Sequence, residues 1–145
     1  MLIEHILATK GRDVIAIRTT ATINEAVSVL RAKGIGAVIV SDDDGATVSG
    51  ILSERDVVRV LADDGPDALE QPVSAVMTAD VFTCEPTATI EALMATMTER
   101  RIRHIPVIGK GRLVGVVSIG DVVKHRVGEL AQEAKTLHDY VNSGR

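Results

Sequence analysis

The chain has 145 residues, 46% hydrophobic and 25% charged, which fits one globular domain or two half-size units sharing a core. With a net charge of −4 and only one Phe and one Tyr, it offers neither a global attraction to DNA or anionic lipid nor a stacking platform for single-stranded nucleic acid. Its one cysteine, Cys84, excludes an intrachain disulfide, and no apolar run approaches the roughly eighteen residues of a membrane span, so a cytoplasmic location is expected.

In chain order, Leu2, Ile3, Ile6 and Leu7 make a short amphipathic start, and the opening MLIEHILATKGRD lacks the long apolar run of a secretory signal. Val14–Ile17 reads as a strand. Ile23, Ala26, Val27 and Leu30 share one helical face, and Thr22 with Glu25 predicts a capping box at its start. Ala37–Val40 is a buried-strand run, Asp44-Gly45 a turn, Val48–Leu52 a second strand, and Ser53 the cap of a second helix. Asp63–Gln71, with Gly65 and Pro66, reads as a polar linker. The second half follows the same order. Val81–Cys84 is a strand, and Ile90, Leu93, Met94 and Met97 share a helical face behind Thr89. Ile105–Ile108, the turn Lys110-Gly111 and Leu113–Val117 form a hairpin, and Ser118 caps a helix. Leu130, Ala134, Leu137 and Val141 lie on one face of a tail helix, which either covers the module's own core or contacts another subunit.

The halves are copies of one another. ATINEAVSVLRAKGIGAVIV aligns with ATIEALMATMTERRIRHIPV at an offset of 67, and GILSERDVVR with GVVSIGDVVK at an offset of 65. The expected fold is α/β: two β-α-β-β-α repeats around a pseudo-twofold axis, with short N- and C-terminal flanking helices. Residues 1–66 hold the first repeat with its N-terminal flank, 67–128 the second, and 129–145 the C-terminal helix. Neither repeat can bury a large core alone, so the two are expected to pack together.

Charge is divided unevenly between them. Residues 1–72 carry seven Lys/Arg against twelve Asp/Glu, and residues 73–145 nine against eight, with Arg100, Arg101 and Arg103 clustered.

The doubled element Gly-h-h-Ser-x-x-Asp, where h is apolar, occurs as Gly50, Ser53, Asp56 and as Gly115, Ser118, Asp121. Taken alone it is a strand running into a capped helix. The same geometry suits a nucleotide, because free N–H groups and a hydroxyl accommodate phosphate while the Asp accepts both hydroxyls of a ribose. Arg103 and His104 open a strand rather than close a helix, and they supply a bidentate donor and a titratable one. Arg100 and Arg101 are equally compatible with a solvated helix end.

With those motifs the chain, from about Val14 to Lys124, resembles the tandem cystathionine-β-synthase (CBS) domain family, or Bateman module. The resemblance implies nucleotide clefts between the two units, and a regulatory role without catalysis. It implies that Asp121 and Ser118 face ribose, Arg103 and His104 face phosphate, and Ile105 and Pro106 line the base. In the first repeat Ser53 and Asp56 remain, and Arg55 could supply a charge. Gly36 and Ala37 replace the basic pair, however, so this cleft's phosphate end is weaker unless the other repeat contributes. Thr78 and Lys10 occupy the segments before each first strand, which line the clefts in the family. The implied ligand is AMP, ATP or NAD(H), bound by a homodimer that acts on an unidentified partner, with no nucleic-acid or membrane partner. A regulator working purely by protein contact, with degenerate clefts, is the alternative.

Three other features carry no chemistry. Gly109–Gly115 is a hairpin turn rather than a phosphate loop, Cys84 is a small apolar residue, and the four histidines lack metal-ligand spacing.

Overall fold

The structure is a computed structural model and describes residues 1–11 and 13–144. Two α/β units follow one another, each building its own small sheet. In the first, β1 (Ala16–Ile17) leads to α2 (Ile23–Lys33) after an N-terminal helix, α1 (Ile3–Lys10). The hairpin β2 (Ala37–Val40) and β3 (Gly50–Ser53) then runs into α3 (Glu54–Asp64). β1 pairs parallel with β2, and β2 antiparallel with β3. The second unit repeats this with α4 (Ile90–Arg100), β4 (His104–Gly109), β5 (Arg112–Ser118) and α5 (Ile119–Ser143).

Where the first unit has β1, the second has a single parallel bridge between Cys84 and Val107. The strand expected at Val81–Cys84 is therefore cut to its last residue. Pro86 follows two residues on, and Val81 and Phe82 line a cavity.

Helix starts follow local chemistry. Thr22 accepts from the Glu25 N–H at 3.1 Å, but no return bond is made, so the expected capping box is half formed. The reciprocal boxes lie at Ser53–Asp56 and Ser118–Asp121, where the acid is Asp.

Among the described residues the buried side chains fall into two clusters rather than one shared core. Ile23, Ala26, Leu30, Val40, Leu52 and Val57 make one cluster, and Ile90, Leu93, Met97, Ile105, Val107 and Val117 another. Each is completed by the segment that precedes the opposite repeat in sequence. Ile3, Ile6 and Leu7 of α1 are buried in the second core, not the first, whose expected flank they were. The stretch after α3 is likewise no mere linker: two short 3-10 turns, Pro66–Glu70 and Val73–Ala75, bury Ala68 and Val73 in the first core.

The two exchanges use matching hydrogen bonds. Ile3 donates to Ala88 O at 2.9 Å, and Val73 to Ala21 O at 2.8 Å. Ile90 donates to Met1 O at 3.0 Å, and Ile23 to Gln71 O at 2.9 Å. These arms explain the glycine of the doubled element. A Cβ at Gly50 would sit 2.8 Å from Thr78 O and 2.6 Å from Met77 Sδ, and one at Gly115 2.6 Å from Leu7 Cδ2.

The tail helix is not a separate element after residue 128 but the continuation of α5. Its apolar face does not cover the module's core: Leu130, Leu137 and Val141 are all exposed.

Candidate functional site

Each Ser-x-x-Asp element stands where a strand ends and a helix begins. Asp56 Oδ2 accepts the Ser53 N–H at 2.9 Å and its hydroxyl at 3.0 Å, while Arg59 donates to Oδ1 at 3.3 Å. Only 4% of Asp56 is exposed. Asp121 Oδ2 accepts the same two Ser118 donors at 2.9 and 3.0 Å, and also the Lys10 ammonium at 2.6 Å. Lys10 donates in addition to Val116 O at 2.8 Å. Burial raises the Asp121 pKa, but Lys10 and Ser118 outweigh it and hold the carboxyl below its ordinary range.

Sheet register decides what each Asp faces. His104 pairs with Ser118 across β4 and β5, and Ile119 N donates to Arg103 O at 2.8 Å. Side chains alternate along an extended chain, so Arg103 points the other way, across to the first unit.

Two cavities result. One, of about 390 Å³, joins Ser53, Arg55, Asp56 and Arg59 of the first unit to Thr78, Asp80, Val81, Phe82 and Arg100–His104. The other, of about 330 Å³, joins Val116, Ser118 and Asp121 of the second unit to Lys10, Asp13–Ile15 and Gly34–Ile39. His104, Gly36 and Ile51 line both and form the wall between them. A Cβ at Gly36 would lie 3.2 Å from the His104 ring, so the wall is closely fitted.

The expected grouping of Arg103 with Asp121 is thus replaced by Arg103 with Asp56. The structure brings Ser53, Arg55, Asp56, Thr78, Arg103 and His104 together, and separately Lys10, His104, Ser118 and Asp121. Ile105 and Pro106 line neither cavity. β4 is covered on both faces, with Ile105 in the second core, so only its first residue reaches the cleft. The apolar walls are Ile51, Val81, Phe82 and Ile102 in the larger cavity, and Val14, Ile15, Ile35 and Val116 in the smaller.

Five arginines line the larger cavity against Glu54, Asp56 and Asp80. Arg100 and Arg101, which the sequence leaves undecided, are among them. Arg100 stacks 4.8 Å over the Phe82 ring. Arg101 holds a left-handed conformation, φ 55°, at the end of α4, where the first unit has Gly34 at φ 63°. A side chain in that region is strained by about 1–2 kcal/mol, so arginine is kept there against its backbone preference. The signal was present in the repeat alignment: at Gly34 and Gly36 the second repeat substitutes Arg101 and Arg103.

Burial lowers the His104 pKa, and the Lys10 charge lowers it further, against the opposing pull of Glu54 and Asp121. At neutral pH the ring is uncharged, able to donate at one nitrogen and accept at the other. Cys84 is a half-buried thiol packed against the second core and pushed up to about 11 by desolvation, which suits an inert residue. Among the described residues no three His, Cys, Asp or Glu side chains cluster as metal ligands, and no helix is long and apolar enough to cross a membrane.

Two α/β repeats with exchanged arms and two cavities lined by residues of both define a tandem-repeat module. The CBS domain family matches residues 4–63 and 73–128, and the chain belongs to it. It is 32% identical to the mitochondrial CBS domain-containing protein CBSX3 of Arabidopsis thaliana over 98% of this chain and 72% of that one. A CBS-domain-containing protein of Agrobacterium tumefaciens superposes with a TM-score of 0.84 at 46% identity, over 87% of this chain and 99% of the other. A CBS domain protein of Pyrobaculum aerophilum, solved in complex with AMP, superposes at 0.73 with 27% identity, over 83% and 89%. These relatives carry the names of CBS-domain proteins.

Proposed function

We propose that this CBS pair is a cytoplasmic regulatory sensor that binds an adenine nucleotide (AMP, ATP or NAD(H)) in the larger cavity and catalyses nothing. One observation carries the reading: the buried Asp56 carboxylate, oriented by Ser53, shares a cavity of about 390 Å³ with five arginines, three of them (Arg100, Arg101 and Arg103) from the second unit. In this reading Asp56 holds the ribose diol. Arg103, with Arg55, Arg100 and Arg101 beside it, holds phosphate, and Val81, Phe82 and Ile102 flank the base. A cation set drawn from both units around one anion gives the ligand a differential grip on their relative position, which an effector requires. The AMP-bound relative from Pyrobaculum aerophilum supports the ligand class. Output passes through a homodimer or a regulated partner.

The smaller cavity favours a second reading for itself alone. Lys10 already occupies Asp121, as the protein-contact alternative with degenerate clefts would have it.

Thermal shift and calorimetry with AMP, ATP and NADH test the proposal. A ligand at a hundredfold its dissociation constant adds about 2.7 kcal/mol of stability. No shift with any of the three, at millimolar concentration, would count against a nucleotide sensor.

A further inference from the structure

Beyond its first turns, α5 has only one side to lean on. Val122 is its single buried residue, and every described side chain after Leu130 is exposed. A helix of about 12–15 residues without packing is marginal in water, so the tail as it stands lacks a reason to be helical.

The exposed face has an order of its own. Val123, Val127, Leu130, Ala134, Leu137 and Val141 follow one another at spacings of four, three, four, three and four. Of these, Val127 is 60% exposed, Leu137 64% and Val141 53%. That alternation is the 3.5-residue repeat of a coiled-coil seam rather than the broader stripe of a helix lying on a core. In heptad terms Val127, Ala134 and Val141 take the a positions and Val123, Leu130 and Leu137 the d positions. β-branched residues at a with Leu at d favour two strands.

We infer that α5 pairs with α5 of a second copy as a parallel two-stranded coiled coil. Charge decides the direction. Flanking the seam are Arg126, Glu133 and Tyr140 on one side, and Lys124, Ala131 and His138 on the other. In a parallel pair Glu133 faces His138 of the second copy, and Arg126 faces Ala131. The antiparallel register that aligns all six apolar positions sets Glu133 against Glu133 of the second copy. Like charges in such positions oppose pairing.

The inference adds an interface and its direction to the proposed homodimer. It is independent of the nucleotide. Sedimentation equilibrium of the full chain, at micromolar concentration, is expected to give twice 15.4 kDa. Leu130→Asp and Leu137→Asp should weaken the dimer at least tenfold, while Lys135→Asp, on the opposite face, should not. In a Cys84→Ser background, Leu137→Cys should form an intermolecular disulfide readily. A monomer across the dilution series would overturn the coil and the homodimer together. A dimer indifferent to both Asp variants would overturn the coil alone. A disulfide that forms only when Val127→Cys and Leu137→Cys chains are mixed would overturn the parallel direction.

Discussion

Asp56 and Asp121 hold the same bonds to their serines and differ in the cation beside them. Arg59 approaches Asp56 at 3.3 Å from a largely exposed position, and Lys10 closes on Asp121 at 2.6 Å. A ribose diol therefore displaces less at Asp56. AMP is expected to bind more tightly than its 2′-deoxy form by about 1.5–3 kcal/mol, the range for a hydrogen bond to a charged group. Asp56→Asn should remove that preference while keeping the helix cap, and calorimetry with both ligands measures it. Asp121→Asn should leave it in place. Arg103→Ala should weaken AMP by a similar 1.5–3 kcal/mol, about; equal affinity in the variant would take Arg103 out of the phosphate role.

His104 adds a pH dependence whose sign is fixed by its surroundings. Its pKa in the folded chain lies below the ordinary 6.5, so it contributes stability above that value that is lost as pH falls through the folded pKa. Phosphate placed near the ring favours the protonated form and reverses the shift. Binding of NADH, whose pyrophosphate does not titrate near pH 6, should therefore tighten as pH drops from 7 toward 5.5, about where histidines titrate. His104→Gln should flatten that slope in a calorimetric pH series. A slope unchanged in the variant would place the titrating group elsewhere.

At the scale of elements, the doubled Gly-h-h-Ser-x-x-Asp combines two functions that the sequence shows as one string. Ser and Asp make the cap, whereas Gly makes room for the arm of the opposite unit. Gly50→Ala drives its methyl against the Thr78 carbonyl, which cannot yield, while Gly115→Ala meets the end of the Leu7 side chain. Gly50→Ala should cost about 1–3 kcal/mol and Gly115→Ala less, in urea unfolding. Helices, hairpins and caps were legible because each is written in local periodicity and cap chemistry. The missing strand before Pro86 was not, since a β-rich run says nothing about whether a neighbour is available to pair with it. Site residues split the same way. Ser53, Asp56, Arg103 and His104 stand out by residue type, but which Asp meets which Arg depends on a register across two units. Ile105 and Pro106 were drawn toward the base by family resemblance, whereas a strand covered on both faces leaves them none of the cleft.

At the scale of the whole molecule, the exchanged arms make the two units depend on each other, although their cores are separate. Ile3, Ile6 and Leu7 are at most 1% exposed and close the second core. Each such side chain contributes about 1.5–3 kcal/mol by burial, so their sum is comparable to the 5–15 kcal/mol that holds a typical domain folded. A chain lacking residues 1–9 should therefore lose the second unit, seen as a lower and broader thermal transition with reduced helical signal. None of the deleted residues lines the larger cavity, whose walls come from Gly36, β3 and α3 in the first unit and from the segments around Phe82 and Arg103 beyond it. Nucleotide binding there should nevertheless disappear, because Arg100–His104 are positioned by α4 and β4, which share the second core with α1. The milder Leu7→Ala should lower stability by about 2–5 kcal/mol and leave the affinity of the still-folded fraction unchanged. A truncated chain that keeps full affinity for AMP would mean that the larger cavity does not need a folded second unit, and that its ligand is held by the first unit alone.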